Sequence, residues 1–188
     1  MRLTFGSNPL VNGIGCILGI ILLPPFIILK LIMMPFEKGS HRSPQYVARY
    51  IRDFIDDTSG EWDWDDFNSI PLADPRLEAI RLAACNVNLP CGDEELAELE
   101  ALYDEAQGLA KKNRTALIAM LNHAIAGGVI DGNELDDVFP YPRSLEKIEC
   151  SAWSALSQWI DDADIRDHDQ RYREFRLEQL IEHREGLG

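Results

Sequence analysis

The pattern of hydrophobic and polar positions divides this chain into two parts. Residues 10–29 form an apolar run of twenty residues without a charge, whereas apolar positions after residue 42 recur at helical spacing between polar ones. A helix of that length spans about 30 Å, which is close to the thickness of a bilayer's hydrocarbon core. The pattern therefore predicts an N-terminal membrane anchor with a basic juxtamembrane segment over residues 1–42, and a helical domain over residues 43–188.

The basic residues beside the apolar run predict its orientation. Lys30, Lys38 and Arg42 lie on its C-terminal side, which places them at the membrane interface and the following domain in the cytoplasm, at the inner membrane of the cell. No small-x-small cleavage site follows the run, so we expect it to stay uncleaved. Pro24-Pro25 would kink a helix, which leaves a membrane hairpin open beside a single full span.

Two further interpretations of the apolar run remain open at this point. Gly15 and Gly19 form a small-xxx-small pair, a spacing that lets two membrane helices approach closely. The pair is a candidate for helix–helix packing and for a homodimer through the anchor. The second interpretation is a buried core helix of a soluble protein, although the length of the run and the basic residues that follow it favour the membrane.

The periodicity after residue 42 predicts an all-α domain of five to six helices, without strand-like alternation. Ser43-Pro44 and Asp74-Pro75 each combine a capping side chain with a proline suited to the first helical turn. Lys111-Lys112 suits the C-terminus of one helix, and Gly127-Gly128 ends the next. The expected helices cover residues 43–57, 74–88, 92–112, 115–126, 144–160 and 164–182.

A segment of alternating aromatic and acidic residues follows the first predicted helix. It is interpreted as a loop whose aromatic side chains pin it to the core while its aspartates cap neighbouring turns. The alternatives are a surface that binds a protein partner or a carboxylate site for a divalent cation. The candidate partner-binding residues are Trp62, Asp63, Trp64, Asp65, Asp66 and Phe67.

Residues 50–81, YIRDFIDDTSGEWDWDDFNSIPLADPRLEAIR, carry a resemblance to known proteins. The stretch resembles a family of small, mostly uncharacterised bacterial proteins with a helix, a WDWDDF-like turn and a DPxLExIR helix start. The resemblance covers about a sixth of the chain and brings no activity with it. It implies a bacterial source and a structural role for the motif.

Charge is distributed unevenly along the chain. The net charge is −14, yet residues 1–42 carry +3 and residues 43–188 carry −17. So acidic a domain repels nucleic acid phosphates and favours basic protein partners or cations. Nucleic acid binding is therefore not expected, and Arg49 and Arg52 are interpreted as solvated residues on a polar helix face.

The chain shows no convincing metal or catalytic motif. Cys16, Cys85, Cys91 and Cys150 have no zinc-ligand spacing, so we expect reduced thiols in a cytosolic domain. The acidic stretches 131–137 and 162–167 lack the glycine and glutamate positions of a calcium-binding loop, and are interpreted as solvated. Asp164 and His168, one helical turn apart, supply only two ligands. No cofactor and no metal site is predicted.

These observations favour a non-enzymatic interaction protein whose acidic cytoplasmic module binds a basic protein near the membrane. An immunity or antitoxin-like protein would be a specific version, since acidic charge speeds the capture of a basic toxin. One alternative is a divalent-metal hydrolase built from Asp63, Asp65 and Asp66 with Asp164 or His168. The other is a small structural subunit of a membrane complex.

Overall fold

The computed structural model describes residues 39–60, 63–88 and 91–188. The apolar run, Gly15, Gly19, Lys30, Lys38 and Trp62 all lie outside the described residues, so the anchor is not tested by it. Gly39 to Gly188 form one compact unit. Among the described residues, no helix is both long and apolar enough to span a bilayer.

The prediction of an all-α domain is confirmed, because the described residues form eight α-helices and no strand. One isolated backbone bridge joins Ser40 to Leu72, so residues just before the first helix already belong to the compact unit. The α-helices are α1 (Pro44–Ile55), α2 (Asp63–Ser69), α3 (Pro75–Cys85), α4 (Asp93–Ile125), α5 (Gly132–Val138), α6 (Lys147–Asp161), α7 (Ala163–His168) and α8 (Gln170–Leu187), with a 3₁₀ helix at Pro142–Ser144.

Helices α1 and α3 begin where their capping residues predicted. The Ser43 hydroxyl accepts a hydrogen bond from the Tyr46 amide at 3.2 Å, and the Asp74 carboxylate accepts one from the Arg76 amide at 3.0 Å. In both helices proline occupies the first turn, where its missing N–H would have had no helical partner.

The expectation of two helices over residues 92–112 and 115–126 is wrong, since α4 is one helix of 33 residues. Lys111 and Lys112 are exposed in its middle, and no glycine or proline interrupts the chain after them. The inward face stays in register through Ala110, Asn113 and Leu117, all buried. Basic residues are favourable near a helix C-terminus but also have high helix propensity in its interior. Lys111 and Lys112 therefore do not indicate a helix end.

Three other elements differ from their predictions. Residues 63–69, most of which belong to the segment interpreted as a loop, form helix α2, and the acidic stretch 131–137, interpreted as solvated, begins helix α5 with Asp131 as its N-cap. The predicted last helix is two helices, α7 and α8. They divide at Asp169, whose extended backbone ends α7 and whose carboxylate accepts hydrogen bonds from the first amides of α8.

The apolar side chains form two core clusters that share α4. The N-terminal cluster joins α1, α3 and the first half of α4, with Val47, Ile51, Leu77, Ile80 and Leu99 at its centre. The C-terminal cluster joins the second half of α4 to α6 and α8, with Leu117, Leu121, Leu156, Trp159 and Leu180. Helix α4 thus carries both clusters on one continuous backbone.

Candidate functional site

The aromatic residues of the predicted binding segment pack on α1. The Trp64 ring stacks on Phe54 with centroids 4.0 Å apart, and Phe67 stacks on Tyr50 at 5.6 Å. Phe67 is buried, whereas Trp64 is half-buried. Trp64 therefore both anchors α2 and presents part of its ring to solvent.

An ion pair on α3 fastens the C-terminal end of α2. Arg81, almost fully buried, donates two hydrogen bonds to Glu78, at 2.7 and 2.8 Å, and a third to the backbone oxygen of Asn68. Glu78 in turn accepts the Leu72 amide at 2.8 Å. These bonds hold residues 68–72 against α3, so the position of α2 is fixed by polar as well as aromatic contacts.

Cys85 completes this cluster. Its thiol donates a hydrogen bond to the side-chain oxygen of Asn68 at 2.9 Å, and burial raises its pKa. A thiol with a raised pKa is a poor nucleophile at neutral pH. Among the described residues Cys85, Cys91 and Cys150 are free.

Exposed aspartates follow Trp64 on α2 and follow Phe54 after the end of α1. Asp65 and Asp66 follow it on α2 and are exposed, while Asp63 is the first residue of that helix. Asp56 and Asp57 are exposed at the end of α1, beyond Phe54. We call Phe54, Asp56, Asp57, Trp64, Asp65 and Asp66 the acidic–aromatic surface.

The structure does not assemble the residues of the metal-hydrolase alternative. Helix α2 packs on α1 and α3, whereas Asp164 and His168 lie on α7, which packs on α6 and α8. Nδ1 of His168 lies 2.7 Å from the backbone oxygen of Asp164. In the described part of the chain no three His, Cys, Asp or Glu side chains are grouped to hold a metal ion.

A second surface feature was not predicted. A groove of about 570 Å³ lies between the N-terminal part of α1, the middle of α4 and the start of α6. The cationic side chains that line it are Arg42, Arg49, Arg114 and Lys147, and His41 lies at the same wall. We call it the basic groove. Arg42, expected at a membrane interface, lies half-buried here.

Tyr46 organises one side of the basic groove. The Arg42 guanidinium lies over its ring at 4.5 Å from the centroid, and that of Arg49 at 5.6 Å. Cation–π contacts of this kind hold an arginine in place while leaving its N–H groups available to other acceptors.

Beside the groove a buried carboxylate ties three helices together. The Glu149 side chain on α6 is fully buried and accepts hydrogen bonds from Gln45 Nε2 on α1 at 3.0 Å and Arg114 Nε on α4 at 3.4 Å. The Ser43 hydroxyl also donates to Glu146 at 2.9 Å. A charge so deeply buried requires partners such as these, so the network fixes the start of α6 against α1 and α4.

Sequence reasoning missed the groove because its parts are far apart in the chain. Arg42 precedes α1 and Arg49 lies within it, and these two are the only groove cations close in sequence. Arg114 and Lys147 join them through tertiary packing alone. Comparison of the chain with protein-family models, curated proteins and solved structures finds no match.

Proposed function

We propose that this chain is a membrane-anchored, non-enzymatic interaction protein whose acidic–aromatic surface binds a basic protein partner. In this proposal the apolar run 10–29 is the anchor, at the inner membrane, and the helical unit lies in the cytoplasm. The observation that carries the proposal is the half-buried Trp64 ring on α2, which the exposed residues Asp65 and Asp66 follow directly.

The surface has the composition of an interaction hot spot. A partly exposed tryptophan supplies a large apolar contact at low entropic cost, and residues of this type dominate measured binding energies. Carboxylates around it would steer a basic partner and raise its rate of association. An immunity or antitoxin-like protein would use such a surface to capture a basic toxin.

Preorganisation adds to this support. Helix α2 is held from one side by stacking on Phe54 and from the other by the Glu78–Arg81 pair. A binding surface that is already ordered loses less conformational entropy on association. The same contacts explain why so short a helix is stable, since an isolated helix of this length is not.

Capture from detergent extracts tests the partner surface. We expect the full chain to retain a basic protein in a salt-sensitive manner, and Asp65→Asn/Asp66→Asn to lose it. The matched control, Asp136→Asn/Asp137→Asn, removes the same charge from the exposed face of α5 and should retain the partner. Equal loss in both variants, or no basic protein bound by the wild type, would contradict the proposal.

Membrane fractionation tests the anchor separately. We expect the full chain to sediment with membranes and to stay there after extraction with alkaline carbonate, which removes proteins held by charge alone. Recovery of the full chain in the soluble fraction would contradict the anchor while leaving the partner surface open to the capture test.

A further inference from the structure

We propose that the basic groove is a binding site for a phosphate monoester group. This inference stands apart from the protein partner proposed above, because it concerns basic residues before and on α1, on α4 and on α6, and not the acidic–aromatic surface. Arg42, Arg49, Arg114 and Lys147 would supply the contacts to the phosphate oxygens.

The first argument is the convergence of positive charge on an acidic unit. Residues 43–188 carry a net charge of −17, yet three separate segments bring four cationic side chains to one groove. Like charges gathered in this way repel one another, and a bound anion would relieve the repulsion. Charged side chains that serve only solubility do not need to lie close together in one groove.

The second argument is that these cations are available. Arg42, Arg49 and Lys147 form no ion pair with any residue in the described ranges, and the ion pair of Arg114 uses Nε, so its terminal nitrogens remain free to donate. Two carboxylates share this region, and Glu146 itself lines the groove. Glu149 is buried in its own network, and Glu146 accepts from Ser43. The four cations still outnumber them.

The third argument is geometry. The Arg42 and Arg49 guanidinium groups both contact the Tyr46 ring, at 4.5 and 5.6 Å from its centroid, and planar guanidinium groups bind phosphate through paired N–H donors. A monoester carries close to two negative charges at neutral pH, which suits a site with more than one arginine. The groove of about 570 Å³ also has room for the organic group that carries the phosphate.

The phosphate monoester has two conceivable sources, a lipid headgroup or a soluble ester. The groove begins at His41 and Arg42, within four residues of Lys38, where the sequence leads back to the apolar run. Both sources offer the same chemistry to the groove, and the experiment separates them.

The first arm of the experiment uses the full chain in micelles of a neutral detergent. Glycerol 3-phosphate is titrated at constant ionic strength and binding is followed by calorimetry. We expect saturable binding near the millimolar range. Arg42→Gln/Arg49→Gln should weaken binding at least about tenfold, since the variant loses charge-assisted hydrogen bonds to the phosphate.

The matched control is Arg171→Gln/Arg184→Gln, which removes two exposed arginines of α8 outside the groove and should bind within about twofold of the wild type. Lys147→Gln is a second groove variant on a different helix and should also weaken binding. Circular dichroism of each variant reports whether it has folded. Absence of saturable binding by the wild type, or equal loss in the α8 control, would overturn the proposal.

The second arm identifies the source with the full chain in lipid nanodiscs. Phosphatidic acid carries a monoester headgroup, whereas phosphatidylglycerol is a diester and controls for surface charge. If lipid occupies the groove, phosphatidic acid should block glycerol 3-phosphate more than phosphatidylglycerol at equal surface charge. Equal affinity in the two discs supports a soluble ester as the ligand of the same site.

Discussion

At the scale of single residues, some charged side chains stabilise the packing between helices, a role that the sequence pattern does not indicate. Arg81 lies on the apolar stripe of α3 and is almost fully buried, so its charge needs the two bonds to Glu78. Both residues belong to the DPxLExIR pattern, as does Asp74, which caps the same helix. The motif residues thus serve the packing of α2 and α3.

Glu78→Gln should lower the free energy of unfolding by about 2 kcal/mol at pH 7, because Arg81 would lose a charged partner while remaining buried. The hydrogen bonds from Arg81, helped by the Leu72 amide and opposed by partial burial, lower the pKa of Glu78. A lowered pKa stabilises the fold above the unfolded value of about 4.3, and this stabilisation is lost as the pH falls through the folded value.

Urea unfolding of wild type and variant at a series of pH values measures this effect. The difference between them should be full at pH 6 to 7 and should shrink below about pH 4. Glu178→Gln, an exposed carboxylate on α8, controls for loss of one negative charge. A Glu78→Gln difference that stays constant down to low pH would show that the charge of Glu78 is not what stabilises the fold.

At the scale of elements, a glycine within α4 and one just after it have opposite roles. Gly108 lies within the helix, and an added Cβ would meet nothing within 4 Å. Gly127 follows the helix end with φ of 86°, in the left-handed region. Its amide donates to the Ala124 oxygen at 3.0 Å, which closes the last turn.

Replacement of each glycine by alanine should therefore shift stability in opposite directions. Gly108→Ala should raise the free energy of unfolding by about 0.5 to 1 kcal/mol, because alanine loses less backbone entropy in a helix. Gly127→Ala should lower it by about 1 to 2 kcal/mol, since a Cβ is strained at positive φ. Chemical denaturation of both variants measures the signs, and a shift in the same direction would contradict the assigned helix end.

The helices could be predicted where the signals are local. Ser43-Pro44, Asp74-Pro75 and Gly127-Gly128 act through neighbours in sequence, and each marked a true boundary. The division at Asp169 escaped prediction, because aspartate is compatible with a helix interior and ends α7 here through its extended backbone. Lys111-Lys112 led to the wrong prediction of a helix end, because basic residues do not by themselves end a helix.

At the scale of the whole molecule, α1 lies between two surfaces of opposite charge. Arg42, just before the helix, and Arg49, within it, line the basic groove, whereas Asp56 and Asp57, just after the helix, belong to the acidic–aromatic surface. The sequence predicted Trp62 to Phe67 as candidate partner-binding residues because they are contiguous, whereas Phe54, Asp56 and Asp57 were not among them. The groove depends on residues about a hundred positions apart, such as Ser43 and Glu146, and only the fold brings these together.

Helix α4 should make the two core clusters unfold as one unit, because it supplies side chains to both without a break. Leu121→Ala, in the C-terminal cluster and fully buried, should cost about 2 to 5 kcal/mol through the cavity it leaves. Native-state hydrogen exchange then checks the coupling. The amides of α1 in the N-terminal cluster should exchange faster by the same factor as those of α8. Faster exchange in α8 with α1 unchanged would show that the clusters open independently. Leu99→Ala, in the N-terminal cluster, should in turn speed the exchange of the α8 amides by the same factor as those of α1.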